Sequence, residues 1–167
     1  PHWKLFGALV QEATRCSNCP QLIVKHDVCS SFSVAVHRGR HPTIETLFTD
    51  TLGHEALEDA DDRCAHCHMH RCRSKETVLV RKPQVLVLHL KRWTFNRALR
   101  KPDKIFAHVS FETLLPLDAD NTYDLRSVIV HHGDAGEGHY TAFVRAQDNI
   151  WYHCNDDSAP RPCSTEE

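Results

Sequence analysis

Gly138-His139-Tyr140-Thr141-Ala142-Phe143 stands between two apolar stretches, Ser127-Val128-Ile129-Val130 and Ile150-Trp151-Tyr152, and Asn155-Asp156-Asp157 follows the second. Short β-branched and aromatic runs separated by turn residues predict a β-meander over residues 123–132, 138–145 and 149–154. A histidine opening one strand, with an amide and carboxylates just past the next, can form one hydrogen-bonded group across the hairpin. A general base and the residue that orients it are supplied in this way. A histidine in such a place, taken alone, is more often a satisfied structural side chain.

The rest of the chain is strand-rich as well. Residues 3–10 are expected to form a strand bent at Gly7, and 21–27 its return strand. Phe32, Val34 and Val36 alternate, which predicts a half-buried strand within 28–37. Thr43 is a candidate N-cap, with Ile44, Leu47 and Phe48 at helical spacing and Gly53 as the break. A second short helix is expected over 54–62, with Glu55, Glu58, Asp59, Asp61 and Asp62 forming a solvated face or a contact for a basic protein. Strands are expected at 77–80 and 105–111, and a buried central strand at 84–90. Residues 94–103 read as a loop and 114–118 as a connection. The fold class is α+β, with short helices confined to the middle of the chain.

The 167 residues suffice for one domain with a real core, or for one domain with a small appendage. Hydrophobic content of 41% and charged content of 25% are those of an ordinary globular protein. A net charge of −2 gives no general attraction to nucleic acid. There is neither a long apolar run nor a signal-peptide pattern, so an intracellular setting, nuclear or cytoplasmic, is expected, with no membrane partner. The chain opens on Pro1, which suggests a fragment or a processed product.

Four of the eight cysteines form two Cys-x-x-Cys pairs, Cys16 with Cys19 and Cys64 with Cys67. A two-residue gap lets both sulfurs of a tight turn face one ion, so the pairs predict a tetrahedral four-thiolate site at the tip of a hairpin-like extension. Zinc suits four sulfurs and does no redox chemistry, and one structural ion is expected. Arg15, Arg63, Arg71 and Arg73 are near enough in sequence to offset the negative charge. Free or redox-active thiols are the alternative. His66, His68, His70 and Cys72 are further donors able to displace a nominal ligand.

Several motifs occur in order: Phe6-Gly7 before the first cysteine pair, Ser31-Phe32-Ser33-Val34, the second pair, and Pro83-Gln84-Val85-Leu86-Val87-Leu88-His89-Leu90-Lys91-Arg92-Trp93. Lys104-Ile105 with Val109-Ser110-Phe111, Tyr123-Asp124-Leu125, His131-His132-Gly133, Gly138-His139-Tyr140-Thr141-Ala142 and Trp151 with Asn155-Asp156 follow. The ordered series resembles the ubiquitin-specific protease family of cysteine deubiquitinases over nearly the whole chain. The ending, through Cys163, is most similar to the branch that carries an additional zinc-finger ubiquitin-binding domain.

The resemblance implies one partial catalytic domain over 1–167 with a papain-like palm sheet. Fingers around 7–80 would carry the zinc ribbon, and the palm would lie around 84–160. It makes His139 the catalytic histidine and Asn155 the third triad member, with Asp156 assisting. It makes 133–138 the flexible loop beside the channel for ubiquitin's tail. Ubiquitin and ubiquitinated proteins are the implied partners.

The family's nucleophile sits in an N-terminal Cys box with the oxyanion-hole asparagine, and nothing like it precedes Cys16. Cys29, Cys72, Cys154 and Cys163 are poor substitutes, so the chain is expected to be inactive alone, with the nucleophile upstream. The competing expectation is a ubiquitin-binding or scaffolding relative without a nucleophilic cysteine. A zinc ribbon binding nucleic acid is disfavoured by the net charge and the lack of a basic, aromatic face. Trp93 stands where the family usually has phenylalanine and is expected in the core. Lys91 and Arg92 are expected in structural ion pairs.

Overall fold

In a computed structural model of the chain, residues 2–58, 62–98 and 100–164 are described. The described residues are strand-rich with two short helices, and the chain divides into two units.

The first unit comprises Pro1–Val36 with Pro42–Lys91. It contains α1 (His2–Phe6), β1 (Ala8–Cys16), β2 (Leu22–Cys29), β3 (Phe32–Ala35), α2 (Ile44–Thr51), β4 (His54–Leu57), β5 (Arg73–Arg81) and β6 (Leu88–Lys91). Its main sheet is antiparallel, in the order β2-β1-β5-β4. β3 and β6 form a parallel pair. The buried side chains follow the sequence pattern: Phe32 and Val34 alternate inward from β3, Val36 follows, and Leu47 and Phe48 come from α2. The Phe32 and Phe48 rings meet edge to face at 5.3 Å.

Thr43 caps α2 as expected. Its backbone is extended (φ −88°, ψ 156°), and its hydroxyl accepts from the Thr46 N–H at 3.1 Å. Thr43→Ala is expected to destabilise the unit by about 1 kcal/mol in urea unfolding, with Thr43→Ser regaining most of it.

Residues 3–10 do not form one strand. A single helical turn ends at Gly7, whose N–H donates to the Trp3 carbonyl at 3.0 Å. A Cβ at Gly7 would lie 2.4 Å from that oxygen, so this close approach admits only glycine. The expected helix at 54–62 is replaced by β4. Pairing with β5 overrides the local pattern, and Lys75 reaches Glu55 at 3.4 Å and Glu12 at 3.9 Å across the sheet. Asp59 and Asp61 lie outside the described residues. Asp62 pairs with Arg73.

The run 84–90 is not a buried central strand. The ladder with β3 covers only Leu88–Lys91; Val85 and Val87 bond through their backbones to Leu5 and Phe32, but their side chains are exposed.

The second unit comprises His37–His41 with Arg92–Glu167. It contains β7 (Trp93–Asn96), β8 (Lys101–Lys104), β9 (Leu114–Asp118), β10 (Asn121–Asp124), β11 (Ser127–Gly133), β12 (Gly138–Arg145), β13 (Trp151–Cys154) and β14 (Arg161–Cys163). The expected meander is present as β11-β12-β13, extended by β14. The expected loop at 94–103 is the β7–β8 hairpin, and the expected connection at 114–118 is β9, paired with β10.

Residues 105–111 do not form a strand. The Arg92 guanidinium donates to the carbonyls of Ile105 (3.1 Å) and Ala107 (2.6 Å), satisfying them without a neighbouring strand. Arg92 thus binds backbone oxygens rather than a carboxylate. Trp93 is 44% exposed instead of lying in the core.

Candidate functional site

His139 is the second residue of β12, held opposite His132 in the β11–β12 ladder. Asn155 follows β13 directly, and β13 pairs with β12 through Ala142↔Cys154. The two strands therefore bring the imidazole and the amide to the same end of the sheet. His139 Nε2 lies 2.6 Å from Asn155 Oδ1. An amide oxygen only accepts, so Nε2 carries the proton and Nδ1 keeps a lone pair. Asp156 Oδ2 is 3.9 Å from that Nδ1, beyond hydrogen-bond reach. The His139 side chain is 47% exposed, so a reacting group can approach it.

Asp156 has φ +44°, in the left-handed region. The Ser158 N–H donates to the Asn155 carbonyl at 3.0 Å, closing the turn that directs both side chains. The turn before His139 is equally constrained. Asp134 Oδ1 accepts from the Gly136 N–H (2.9 Å) and the Glu137 N–H (3.3 Å), which holds its carboxyl below the usual range. Gly133 has φ +99°, and a Cβ there would meet the Glu137 carbonyl at 2.4 Å. The structure thus brings His139, Asn155 and Asp156 together.

Sequence reasoning missed the buried contacts of Lys104 with His131 and with the Gly133 carbonyl, where this turn begins. A single lysine ahead of an isoleucine carries no signal of burial.

The four cysteines of the two pairs also converge. Their sulfurs all lie within 4.8 Å of one another, and Cys64 is fully buried. β1 ends at Cys16 and β5 begins just after Cys72, with Cys16 opposite Arg73, so the turn bearing Cys16 and Cys19 and the segment bearing Cys64 and Cys67 meet at one sheet end. The Ser17 N–H donates to the Cys72 carbonyl at 2.7 Å, and the Cys64 N–H to the Met69 carbonyl at 2.9 Å. His68 and Arg71 take positive φ to close the second turn.

The Asn18 side chain and the Met69 backbone pull the Cys67 thiol down to about 6. Burial and the Cys16 sulfur push Cys72 up to about 12. Several sulfurs crowded this closely suit a cation that takes them all as thiolates. The set holds cysteines only, without His66, His68 or His70. Cys72 lies 3.4 Å from Cys16 but outside it. Arg63 donates to the His68 carbonyl at 3.0 Å, and Arg73 pairs with Asp62, which, ahead of Cys64 and Cys72, raises its pKa.

A family model described as ubiquitin carboxyl-terminal hydrolase matches residues 2–166. Ubiquitin carboxyl-terminal hydrolase 44-B of Xenopus laevis is 38% identical over 135 residues, covering 72% of this chain and 18% of that protein. Ubiquitin carboxyl-terminal hydrolase 44 of Ailuropoda melanoleuca is 32% identical over 165 residues, covering 83% of this chain and 22% of that protein. This chain spans about a fifth of the length of the curated relatives it matches. Among solved structures, the yeast SAGA DUBm superposes with a TM-score of 0.86 at 23% identity, over 98% of this chain and 38% of that one. The SAGA Ubp8/Sgf11/Sus1/Sgf73 DUB module bound to ubiquitin aldehyde gives 0.80 at 21%, with the same coverage. These likenesses give the fold, and the family match over nearly the full length decides the kinship: the chain belongs to the ubiquitin carboxyl-terminal hydrolase family.

Proposed function

We propose that this chain is the part of a cysteine-type deubiquitinase that supplies the general base, its orienting amide and zinc-bearing fingers. The observation that carries this reading is the 2.6 Å contact between His139 Nε2 and Asn155 Oδ1, which leaves Nδ1 free and accessible.

His139 Nδ1 takes the proton of a cysteine thiol that lies outside this chain. The thiolate attacks the carbonyl carbon at ubiquitin's C-terminal glycine. Asn155 keeps the ring in the Nε2–H tautomer and accepts from it throughout, with the Asp156 carboxylate 3.9 Å from Nδ1. The imidazolium then gives its proton to the departing lysine amine. Water, deprotonated by the same nitrogen, hydrolyses the thioester and frees ubiquitin and the thiol.

Cys16, Cys19, Cys64 and Cys67 would hold one zinc ion, whose contribution is structural because four thiolates close its coordination. Fingers around 7–80 and a palm around 84–160 divide these two tasks. Ubiquitin and ubiquitinated proteins are the partners, a reading supported by the neighbour bound to ubiquitin aldehyde. The two Cys-x-x-Cys pairs, read as thiolate ligands, support work in a reducing compartment, the nucleus or the cytoplasm.

A ubiquitin–fluorophore amide tests this reading. The full-length protein containing this chain is expected to release the fluorophore, and the chain alone is expected to release none. Turnover by the chain alone, abolished by Cys154→Ser or Cys163→Ser, would place the nucleophile inside it. No turnover by the full-length protein would leave a ubiquitin-binding or scaffolding relative.

A further inference from the structure

Lys104 closes β8 and is 7% exposed, an unusual setting for an ammonium. A buried cation is tolerated only when its protons are all bonded. Nζ lies 2.9 Å from His131 Nδ1, 2.8 Å from the His131 carbonyl and 2.7 Å from the Gly133 carbonyl, so three donors meet three neutral acceptors. The Phe106 ring, 5.0 Å from Nζ, adds a cation–π contact.

Both carbonyls belong to the last three residues of β11, where His132 faces His139 and Gly133 faces Gly138. The His131 ring fills the space beside Gly138. A Cβ on Gly138 would lie 2.0 Å from its Nε2 and 2.5 Å from its Cε1. The Tyr140 ring lies close to this imidazole, with ring centroids 4.6 Å apart. An ammonium cannot accept a hydrogen bond, so His131 Nδ1 presents a lone pair and the ring is neutral. Burial, then the Lys104 charge, hold His131 below its ordinary range.

We propose that Lys104 is a positioning residue for His139: through the neutral His131 ring and two β11 carbonyls, it clamps the 133–138 turn and sets where His139 enters β12. The inference rests on the proposed role of His139. Lys104 itself touches neither the substrate nor the reacting atoms.

The test uses the full-length protein and Lys104→Met, which keeps the apolar stem and removes the charge and all three donors. Amide hydrogen exchange is expected to accelerate about tenfold at residues 131–141 while 142–154 stay unchanged. With the ubiquitin–fluorophore amide, kcat is expected to fall about tenfold and KM to stay within about twofold. His131→Asn retains an acceptor close to the Nδ1 position and His131→Leu does not, so the Asn variant is expected to keep more of kcat. This pair also decides the matter if Lys104→Met does not fold.

Unchanged exchange at 131–141, unchanged kcat, or equal activity of the two His131 variants would overturn the proposal. Exchange that accelerates across the whole ladder would do the same, since it marks a merely structural lysine. Absence of turnover in the unaltered full-length protein would remove the proposed function instead, and the exchange measurement would then decide whether Lys104 clamps the turn.

Discussion

His139→Ala in the full-length protein is expected to lower kcat on a ubiquitin–fluorophore amide by about 1,000- to 10,000-fold, with ubiquitin Kd changed less than about threefold. The two effects separate because the side chain is half exposed and makes one strong hydrogen bond, to Asn155. The ladder that carries it is backbone-bonded, with β11 on one side and β13 on the other. Truncation therefore removes the proton acceptor without dismantling the sheet. A cysteine thiol with an ordinary pKa of about 8.5 is mostly protonated at neutral pH. The defect should accordingly shrink as pH rises and hydroxide does the work of the base. Asn155→Ala should cost less, because the ring remains and only its tautomer and orientation are released. Stopped-flow kinetics and calorimetric titration with ubiquitin measure the two quantities separately. A His139→Ala enzyme with full turnover would remove the histidine from the chemistry.

Cys64→Ser is expected to give the second large effect. Cys64 is the one fully buried sulfur of the four, and it is anchored by its own N–H to the Met69 carbonyl. A four-thiolate zinc site contributes on the order of 10 kcal/mol to the folding of the segments it joins. Those segments are the end of β1, the turn to β2 and the run from Cys64 to Cys72, tied to one another by a few backbone bonds such as Ser17 to Cys72. Plasma mass spectrometry should find about one zinc per chain in the unaltered protein and little in the variant. Hydrogen exchange in 14–24 and 62–73 should approach that of an open chain, while 127–154 should keep its protection. A chelator should reproduce this pattern, more readily as pH falls, because protons compete for the thiolates. A protein that contains no zinc and keeps full protection at 14–24 would contradict the metal assignment.

What the sequence revealed divides by the range of the forces involved. The β-meander, the capped helix at Thr43 and the alternation of Phe32, Val34 and Val36 are local patterns, and each is present in the structure. The cysteine pairs were legible for a similar reason: a two-residue gap constrains its own turn, whatever the rest of the chain does. Some failures are local, such as the helical turn before Gly7 and the β7–β8 and β9–β10 hairpins, and others lie where a distant partner decides. Residues 54–57 became a strand because β5 offered a ladder with Lys75 opposite Glu55. Residues 105–111 lost their strand because one arginine satisfied their carbonyls. The apolar run 84–90 read as buried because composition does not record that the β3 ladder covers only Leu88–Lys91. At the candidate site, His139 and Asn155 stood out through their places around a hairpin. Lys104 did not, because the acceptors that make its burial possible are 27 and 29 residues away.

An isopeptide-linked diubiquitin, incubated with the full-length protein and with its His139→Ala variant, tests the central claim most directly when the released ubiquitin is weighed by mass spectrometry. The account predicts that the unaltered protein releases ubiquitin ending at its intact C-terminal glycine, and that the variant releases essentially none. Equal release by both proteins, or no release by the unaltered one, would contradict it.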